Sequence, residues 1–412
     1  MKESGIDWIG QIPEEWEVTK LKYVLLISNG KDYKDIEVEE GGYPVIGSGG
    51  VFARSRDYMY DGDVVLLGRK GTIDKPLFYS GKFWTVDTMF YSTALNGNNI
   101  KFMYYSSLLI PFSYYSTATA LPSMTQSDLN NHVLCLPSIS EQQKIADFLD
   151  KKTAQLDKVK ALLEEQIQKL KDYRASLIYE TVTKGLDKTV PMKDSGIDWI
   201  GQVPQGWGVS KLEQYVDIFG RIGFRGYTTN DIVNEGEGAI SYSPSNIIDY
   251  SVIDNNNTYI SWSKYDESPE IQIKTGDVLY VKTGSSYGKA GIVNKLSNKA
   301  TINPQLVVLK PKKNTDSRLI NYFLNSSVGK DQSELIVGGS TIPTITQESI
   351  KKMIFPKMSF EEQQKIADFL DKKTIQIDKL IQIKNQQIEN INKQRQTLIY
   401  DYVTGKRRGK EI

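Results

Sequence analysis

A thirteen-residue segment that occurs twice without change places the strongest constraint on this fold. EQQKIADFLDKKT occupies residues 141–153 and recurs at residues 362–374. A second pair of segments, residues 3–21 and 194–212, agrees at 13 of 19 positions. Self-similarity of this kind is typical of a repeated structural unit. The 412-residue chain is therefore predicted to contain one unit twice.

The stretches between these repeated segments differ. Residues 25–115 and 215–335 share little beyond Gly62-Asp63-Val64 and Gly276-Asp277-Val278. Both contain short β-branched or aromatic segments bounded by glycine, asparagine or proline, a pattern that predicts β-strands. The interiors should therefore be two β-rich domains of different sequence, each with a short helix, near residues 101–109 and 317–325.

The repeated thirteen residues begin two long predicted helices. No proline or glycine follows them until Gly185 in the first copy and Gly405 in the second. Ser140 and Ser359 are predicted to be the N-terminal caps or residues near the caps. Apolar residues at heptad spacing predict helices of about 40 residues that pair with each other as an antiparallel coiled coil. The alternatives are two separate hairpins, or two helices that each dock on their own domain. The predicted helix-pair interface consists of Ile145, Leu149, Leu156, Val159, Leu163, Leu170, Ile366, Leu370, Ile377, Leu380, Ile391 and Leu398.

The predicted fold class is α+β, with two β-rich domains joined by two long antiparallel coiled-coil helices in a pseudo-twofold internal repeat. The first domain should cover residues 1–139 and the first helix residues 140–185. The second domain should cover residues 186–358, and the second helix with its tail residues 359–412. Trp8, Trp16, Trp199 and Trp207 are predicted to be packing anchors where domain and helix meet.

Composition excludes several classes of function. The 51 basic and 50 acidic residues nearly cancel, so overall charge does not indicate nucleic-acid binding. The single cysteine and single histidine cannot form a zinc site. Phosphate-loop, methyltransferase-tetrapeptide and nucleophile-elbow patterns are absent from the sequence. With no long apolar stretch, the sequence predicts a soluble cytoplasmic protein without catalytic residues, metal or cofactor.

The order of these motifs resembles one known family. A Gly-x-x-Trp-Ile-Gly-x-x-Pro-x-x-Trp segment, a variable region, a Pro-x-x-Thr-Gln element at 122–126 and at 343–347, and EQQKIADFLD all occur twice. This arrangement resembles the specificity subunit of type I restriction-modification systems. The alternative is a coiled-coil scaffold that presents two protein-binding domains.

The resemblance implies a division of roles. Each variable domain would read one half of a bipartite, asymmetric sequence in double-stranded DNA, and the helix pair would set the spacer and dock two N6-adenine methyltransferase subunits. S-adenosylmethionine would belong to those subunits, and ATP and magnesium to the motor-nuclease subunits that join them. This chain would carry no catalytic residue, would hold no cofactor and would not contact a membrane.

Residue chemistry suggests which loops would contact DNA. Base edges are read by Arg, Lys, Asn, Gln, Ser or Thr, and phosphates by basic groups. For any single residue, the alternative is a solvated charge or a turn. The predicted contacts are Ser48, Arg54, Arg56, Arg69, Lys70, Thr72, Tyr115 and Thr117 in the first domain, and Arg221, Arg225, Tyr227, Ser243, Asn246, Lys282, Ser285, Ser286, Tyr287, Lys289 and Thr341 in the second. The loops that begin at Arg69 and Lys282 follow aligned strands and should occupy equivalent places.

Overall fold

The computed structural model describes residues 1–115, 122–223, 226–337 and 343–409. The chain divides into two compact units. The first comprises Met1–Glu164 with Asn385–Ile412, and the second comprises Glu165–Lys384. Each unit therefore contains one β-rich domain, the first half of one long helix and the last half of the other. The predicted α+β class with two β-rich domains and two long helices is confirmed.

The described part of the first domain is built around a seven-stranded sheet in the order β4-β10-β8-β9-β6-β7-β5. Neighbouring strands are antiparallel except for β6 and β9, which are parallel. The elements are β1 Lys2–Glu3, β2 Gln11–Ile12, β3 Glu17–Lys20, β4 Leu25–Asn29, β5 Glu37–Val38, β6 Tyr43–Gly47, β7 Gly50–Ser55, β8 Tyr60–Gly68, β9 Leu77–Thr85, β10 Met89–Ala94, α1 Ile100–Ser107, α2 Phe112–Tyr115, α3 Gln126–Asn131, β11 Val133–Leu136 and the long helix α4 Ile139–Lys184.

The described part of the second domain contains a six-stranded sheet in the order β15-β24-β21-β22-β19-β18 and a four-stranded sheet in the order β16-β20-β17-β23. The elements are β12 Met192–Asp194, β13 Gln202–Pro204, β14 Gly208–Lys211, β15 Val216–Gly220, β16 Ile232–Val233, β17 Gly238–Tyr242, β18 Ile247–Ile248, β19 Ser251–Val252, β20 Thr258–Ser261, α5 Trp262–Asp266, β21 Val278–Val281, β22 Ala290–Ile292, β23 Ala300–Ile302, β24 Leu306–Pro311, α6 Ser317–Asn325, α7 Ser327–Val337, α8 Gln347–Lys352, β25 Ile354–Lys357 and the long helix α9 Phe360–Val403.

Strands β8 and β21 are equivalent central strands, but the sequence match between them is one residue out of register. Val65 and Val278 each pack into the core that their domain shares with a short helix and a long helix. Val64 faces the opposite core of the first domain. Matching Gly62-Asp63-Val64 to Gly276-Asp277-Val278 therefore pairs side chains from opposite faces. Because side chains alternate along a strand, a shift of one residue reverses every face.

Serine side chains cap both long helices. Ser359 Oγ accepts the backbone N–H of Glu362 at 3.2 Å, as expected for the predicted cap. In the first copy the cap is Ser138, whose Oγ accepts the N–H of Glu141 at 3.3 Å. Ser140 is not the cap itself but lies near it, because α4 begins at Ile139 and Ser140 is in its first turn.

The buried stripe of each long helix differs in part from the predicted one. Ile145, Leu149, Ile366 and Leu370 are fully buried, whereas Val159 and Leu380 are 46% and 47% exposed. These last two residues were placed in the interface by the heptad pattern, and the structure contradicts that placement. The stripe instead follows positions three and four residues apart that include Lys160, Ile167 and Arg174 on α4 and Lys384, Ile388 and Arg395 on α9. Ile167 was not predicted, yet it is only 8% exposed.

Within each unit the two long helices are antiparallel. In the first unit Phe148 packs on Tyr402, with ring centroids 4.7 Å apart, and Asp157 pairs with Arg395 at 3.4 Å. Along the same direction in space, residue numbers thus rise on α4 and fall on α9. In the second unit Arg174 pairs with Asp378, which are the same two positions of the repeat with their helices exchanged. None of the helices among the described residues has the length and apolar content needed to cross a bilayer.

The four tryptophans of the repeated segments separate into two pairs. Trp16 is fully buried, and its Nε1–H donates to Glu141 Oε2 at 3.1 Å. Trp207 is 7% exposed, so both of these residues anchor packing as predicted. Trp8 and Trp199 are 40% and 36% exposed, which contradicts the prediction for them. Residues identical in the two copies are therefore not all core residues.

Candidate nucleic-acid interface

A loop leaves the end of the central strand in each domain and is tied to the segment ahead of α3 or α8. We call residues 69–72 the first strand-end loop. Arg69 O accepts the N–H of Met124 at 3.0 Å, and the Gly71 N–H donates to Pro122 O at 2.9 Å. Lys70 forms an antiparallel bridge between these two bonds. Gly71 has φ of +81°, which residues with a Cβ rarely adopt.

The second domain repeats this arrangement. In the second strand-end loop, residues 282–289, Lys282 O accepts the N–H of Ile345 at 2.8 Å and the Gly284 N–H donates to Pro343 O at 3.2 Å. Thr283 forms the corresponding antiparallel bridge, and Gly284 has φ of +101°. The predicted equivalence of the two loops is confirmed, and their backbones are held alike while their side chains differ.

The first strand-end loop directs two polar side chains to solvent. Lys70 and Thr72 are exposed. Arg69 is half-buried. One guanidinium nitrogen, Nη1, donates to Asp87 O at 3.2 Å, and the guanidinium carbon lies 5.9 Å from the centre of the Phe90 ring. Arg69 is therefore oriented by the protein, whereas Lys70 can swing toward a phosphate.

The β6–β7 hairpin carries the next predicted residues. Ser48 is half-buried at its turn, and Arg54 and Arg56 are exposed. Arg54 donates to the carbonyls of Gly41 and Gly42 at 3.4 and 3.3 Å, while Arg56 forms an exposed ion pair of 3.5 Å with its neighbour along the chain. Such exposed bonds are weak, so both guanidinium groups can be redirected to a ligand.

Tyr115 is engaged inside the protein. Its hydroxyl lies 3.0 Å from His132 Nδ1. Burial raises the pKa of Tyr115 and lowers the pKa of His132 to about 4, so this imidazole is neutral at pH 7. The structure therefore gives the Tyr115 hydroxyl a packing role, in contrast to the predicted DNA contact.

The second strand-end loop lines a cleft of about 580 Å³. Ser285 is exposed, and Ser286, Tyr287 and Lys289 are half-buried along the cleft wall. Lys330, from α7, lines the same cleft and was missed from the sequence. Helical spacing gives no sign of it, because α7 and the loop meet only in the fold.

Lys282 is the first residue of this loop and is less exposed than Ser285. It is half-buried, and burial lowers the pKa of its ammonium group. Desolvation of this kind makes the charged ammonium less favourable than it is in water.

Two predicted contacts of the second domain are interior residues. Arg221 is 5% exposed, and its guanidinium donates to Ile302 O and Thr301 Oγ1 at 3.2 Å each. Asn246 is 1% exposed, and its side chain accepts the Ser243 N–H at 2.9 Å and donates to nearby carbonyls. The structure places both side chains inside the protein, where their polar groups bond to its own backbone and side chains, and DNA contact by either residue stays a prediction.

The remaining predicted residues of this region are partly accessible. Ser243 and Tyr227 are half-buried. Ser243 Oγ lies 2.7 Å from Ser245 Oγ, and the Tyr227 hydroxyl accepts from Ser241 Oγ at 3.3 Å. Their roles as DNA contacts stay predictions. Thr117, Arg225 and Thr341 lie outside the described residues.

Sequence reasoning also missed a cationic and aromatic surface on the first domain. Lys82 is exposed on β9 and lies 4.7 Å from the centre of the Tyr58 ring and 5.8 Å from that of Tyr43. The alternation of β9 directs Lys82 away from the core and could have indicated it. The pairing with the two tyrosines comes only from the fold.

Metal and thiol chemistry have no visible site here. In the described ranges, no group of three or more His, Cys, Asp or Glu side chains is arranged to hold a metal ion. Cys135 is buried, and burial raises its thiol pKa to about 11. The thiolate form is therefore scarce at pH 7.

Comparison with known families decides the class of protein. The model of the type I restriction modification DNA specificity domain matches residues 13–171 and again residues 204–393. The chain belongs to this family. As a specificity-family member it has two recognition domains, one in each half, and the scaffold alternative is not better supported.

Relatives of known class match along nearly the whole specificity chain. The type I restriction enzyme MjaVIII specificity subunit of Methanocaldococcus jannaschii is 24% identical over 98% of this chain and 95% of its own. The putative MjaX specificity subunit of the same organism is 27% identical over 98% and 96%. The EcoBI specificity subunit of Escherichia coli is 22% identical over 96% and 87%.

Solved structures show the same fold for this family member. A chain from a study of complex assembly and conformational transition of the type I R-M system aligns with a TM-score of 0.73 at 17% identity, covering 95% of this chain and 98% of its own. The HsdS subunit from Thermoanaerobacter tengcongensis aligns with a TM-score of 0.52 at 16% identity, covering 98% and 100%.

Proposed function

We propose that this chain is the DNA-reading subunit of a type I restriction-modification complex and that each domain reads one half of a bipartite, asymmetric target. The observation that carries the proposal is the pair of strand-end loops. Their backbones are held by matching hydrogen bonds, but one presents Arg69, Lys70 and Thr72 and the other presents serines, Tyr287 and Lys289. Loops in equivalent places with different side chains would read different bases.

The balance of charge supports local rather than global attraction to DNA. The net charge of +1 gives no general affinity for a polyanion. Lys70, Arg54 and Arg56 are exposed in the first domain, and Lys289 and Lys330 line one cleft in the second. Contacts of these groups with phosphate would make binding fall steeply with salt.

Exposed apolar side chains on the long helices support the proposal that a partner protein binds there. Val159, Leu162 and Tyr173 on α4 are 46%, 48% and 55% exposed, and Ile375, Leu380 and Ile383 on α9 are 67%, 47% and 47% exposed. Large side chains of this kind mark interaction surfaces when they recur along one element. In this proposal the helix pair sets the spacer between half-sites and docks two methyltransferase subunits.

The chemistry would reside in the partners. The methyltransferase subunits would bind S-adenosylmethionine, and motor-nuclease subunits that join the complex would use ATP and magnesium. This chain would contribute recognition and assembly and no catalytic group.

Loss of single cations tests the DNA interface. In complex with the methyltransferase, Lys70→Ala and Lys289→Ala should each weaken target binding by about tenfold, because each removes a charge-assisted contact. Each should also reduce the slope of log affinity against log salt by about 1 if the contact is to phosphate. Binding is measured by fluorescence anisotropy at several salt concentrations.

Two controls separate contact from folding. Lys188 is an exposed lysine in the linker after α4, and it pairs with Glu180 of α4. Lys188→Ala should leave DNA binding unchanged. Arg221→Ala should lower thermal stability, because Arg221 is interior. Wild-type affinity and salt slope in both Lys70→Ala and Lys289→Ala would overturn the assignment of the strand-end loops.

A further inference from the structure

A small polar cluster joins the first domain to α4. The Tyr105 hydroxyl, on α1, donates to Asp150 Oδ1 at 2.8 Å and lies 3.1 Å from Thr153 Oγ1. The Lys101 ammonium group pairs with the same carboxylate. About two helical turns earlier along α4, the backbone N–H of Asn99 donates to Gln142 Oε1 at 2.9 Å. We call these residues the first docking cluster.

The second domain has the same cluster on α6 and α9. The Tyr322 hydroxyl donates to Asp371 Oδ1 at 2.8 Å and lies 3.1 Å from Thr374 Oγ1, distances equal to those in the first cluster. Arg318 takes the place of the lysine and pairs with Asp371 at 2.8 Å. The N–H of Asp316 donates to Gln363 Oε1 at 3.1 Å.

The two sides of each cluster come from different kinds of sequence. The acceptors on the long helices all lie within EQQKIADFLDKKT, the segment that recurs unchanged. The donors lie in the interiors, where the two halves otherwise diverge. Both domains, although dissimilar, thus carry a short helix with a tyrosine four residues after a cationic residue. In each domain this helix packs on the same repeated segment of a long helix.

The geometry suits orientation more than simple adhesion. Tyr105 and Tyr322 are 2% and 7% exposed, so water does not replace their bonds easily. Burial is also the main cause that raises the pKa of each phenol, so both hydroxyls keep their proton and donate at any pH near neutrality. Directed bonds from buried hydroxyls, with a backbone bond about two helical turns away, hold a rotation angle as well as a distance.

A small rotation at this joint would matter for spacing. A turn of about 10° acting over roughly 20 Å, the distance across a domain of this size, moves a loop by about 3.5 Å, which is one base-pair rise. Half-sites that differ by one base pair in spacer would then be reached by the same loops.

We infer that the docking clusters, with Tyr105 and Tyr322 at their centres, are positioning elements that fix the angle of each recognition domain on its long helix and thereby set the accepted spacer length. These residues do not touch DNA and act through the strand-end loops. The inference rests on the proposed reading of a bipartite target.

The two clusters differ in their cation, which predicts a difference in stiffness. Lys101 pairs with one carboxylate, whereas Arg318 pairs with Asp316, Asp368 and Asp371 at 2.7, 2.8 and 2.8 Å. A planar guanidinium with several partners has less freedom than an ammonium group with one. Arg318→Lys should therefore loosen the second domain, and Lys101→Arg should stiffen the first.

The test compares spacer lengths in the assembled complex. Methylation rates are measured on the preferred target and on targets with the spacer shortened or lengthened by one base pair. In Tyr105→Phe and in Asp371→Asn, the preference for the correct spacer should fall by about fivefold, the order expected from loss of one buried hydrogen bond. Arg318→Lys should lower the preference in the same direction, and Lys101→Arg should keep or raise it.

A matched control lies beside the first cluster. Tyr104→Phe removes a hydroxyl from the adjacent residue, whose ring packs against Tyr105 at 5.1 Å, and should leave spacer preference within twofold of wild type. Thermal unfolding of every variant shows whether a loss of preference accompanies a loss of folding. Arg318→Lys, which keeps the charge, provides the test if Tyr105→Phe unfolds.

The outcomes separate this inference from the proposed function. A wild-type complex that methylates single half-sites as well as bipartite DNA would refute the proposed function itself. A wild-type complex that discriminates spacers, together with folded Tyr105→Phe and Arg318→Lys variants that discriminate equally well, would refute only the positioning role.

Discussion

Replacing Glu141 by alanine should destabilise the first unit far more than the same change at its repeat counterpart, Glu362. Glu141 accepts four bonds: from Trp16 Nε1, from Arg408 Nε and Nη2, and from the backbone N–H of Gly409, at 3.1 to 3.4 Å. Its side chain is 7% exposed and that of Arg408 is 22% exposed. The carboxylate therefore joins the start of the chain, the start of α4 and the segment after α9.

The magnitude follows from what the change leaves behind. Glu141→Ala leaves the buried indole N–H of Trp16 without an acceptor, at a cost of about 1–3 kcal/mol. It also removes a charge-assisted bond to Arg408, worth about 1–2 kcal/mol here because the guanidinium is partly exposed. The free energy of unfolding of the first unit should fall by about 3 kcal/mol.

The internal repeat supplies the control. Glu362 is half-exposed, and no hydrogen bond joins it to Trp207 in the described part of the chain, so Glu362→Ala should cost about 1 kcal/mol or less. Urea denaturation followed by tryptophan fluorescence measures both variants. Equal costs for the two replacements, or a cost below about 1 kcal/mol for Glu141→Ala, would refute the reasoning.

Two further predictions concern titration and the long helices. Burial lowers the pKa of His132 in the folded chain to about 4, below its ordinary 6.5, so the unfolded chain binds the proton first as pH falls. The contribution of neutral His132 to the free energy of unfolding should be fully present above pH 6.5. It should fall by up to about 1.4 kcal/mol per pH unit as pH drops toward 4. Urea denaturation at several pH values should show a shallower fall for His132→Asn, and identical slopes would contradict this origin. On α4, Ile167→Ala should lower the free energy of unfolding by about 2 kcal/mol, whereas Val159→Ala should change it by less than about 0.5 kcal/mol, as measured by thermal unfolding. Val159→Ala should instead weaken association with the methyltransferase, as measured by size-exclusion chromatography. The reverse pattern would place Val159 in the buried stripe.

The repeat allowed the two-domain architecture and both long helices to be predicted from sequence, but only part of the face that each helix buries. The heptad pattern favoured Val159 over Lys160, because an apolar residue fits an interface by type. In the structure the stripe passes through Lys160, Arg174 and Arg395, whose long side chains can bury their aliphatic stems and keep their charges at the edge. Side-chain type alone does not separate these two faces.

The candidate interface was predictable where backbone chemistry determines it. Glycines and a preceding strand located both strand-end loops. Arg221 and Asn246 carry the side chains expected of DNA-reading residues, but burial depends on which sheets fold over them, and no local pattern reports that. Lys330 joins the second loop only through the packing of α7, a contact between residues far apart in the chain.

The one-residue shift between β8 and β21 has a practical consequence for building hybrid proteins. A chimera joined at Gly62-Asp63-Val64 and Gly276-Asp277-Val278 would appear seamless in an alignment, yet it would turn Val65 and the residues that alternate with it toward the wrong core. A crossover inside EQQKIADFLDKKT replaces a surface by its own copy and leaves every strand in its native register. Recombinant libraries of new specificities should therefore take their junctions from the helix and leave the sheet intact.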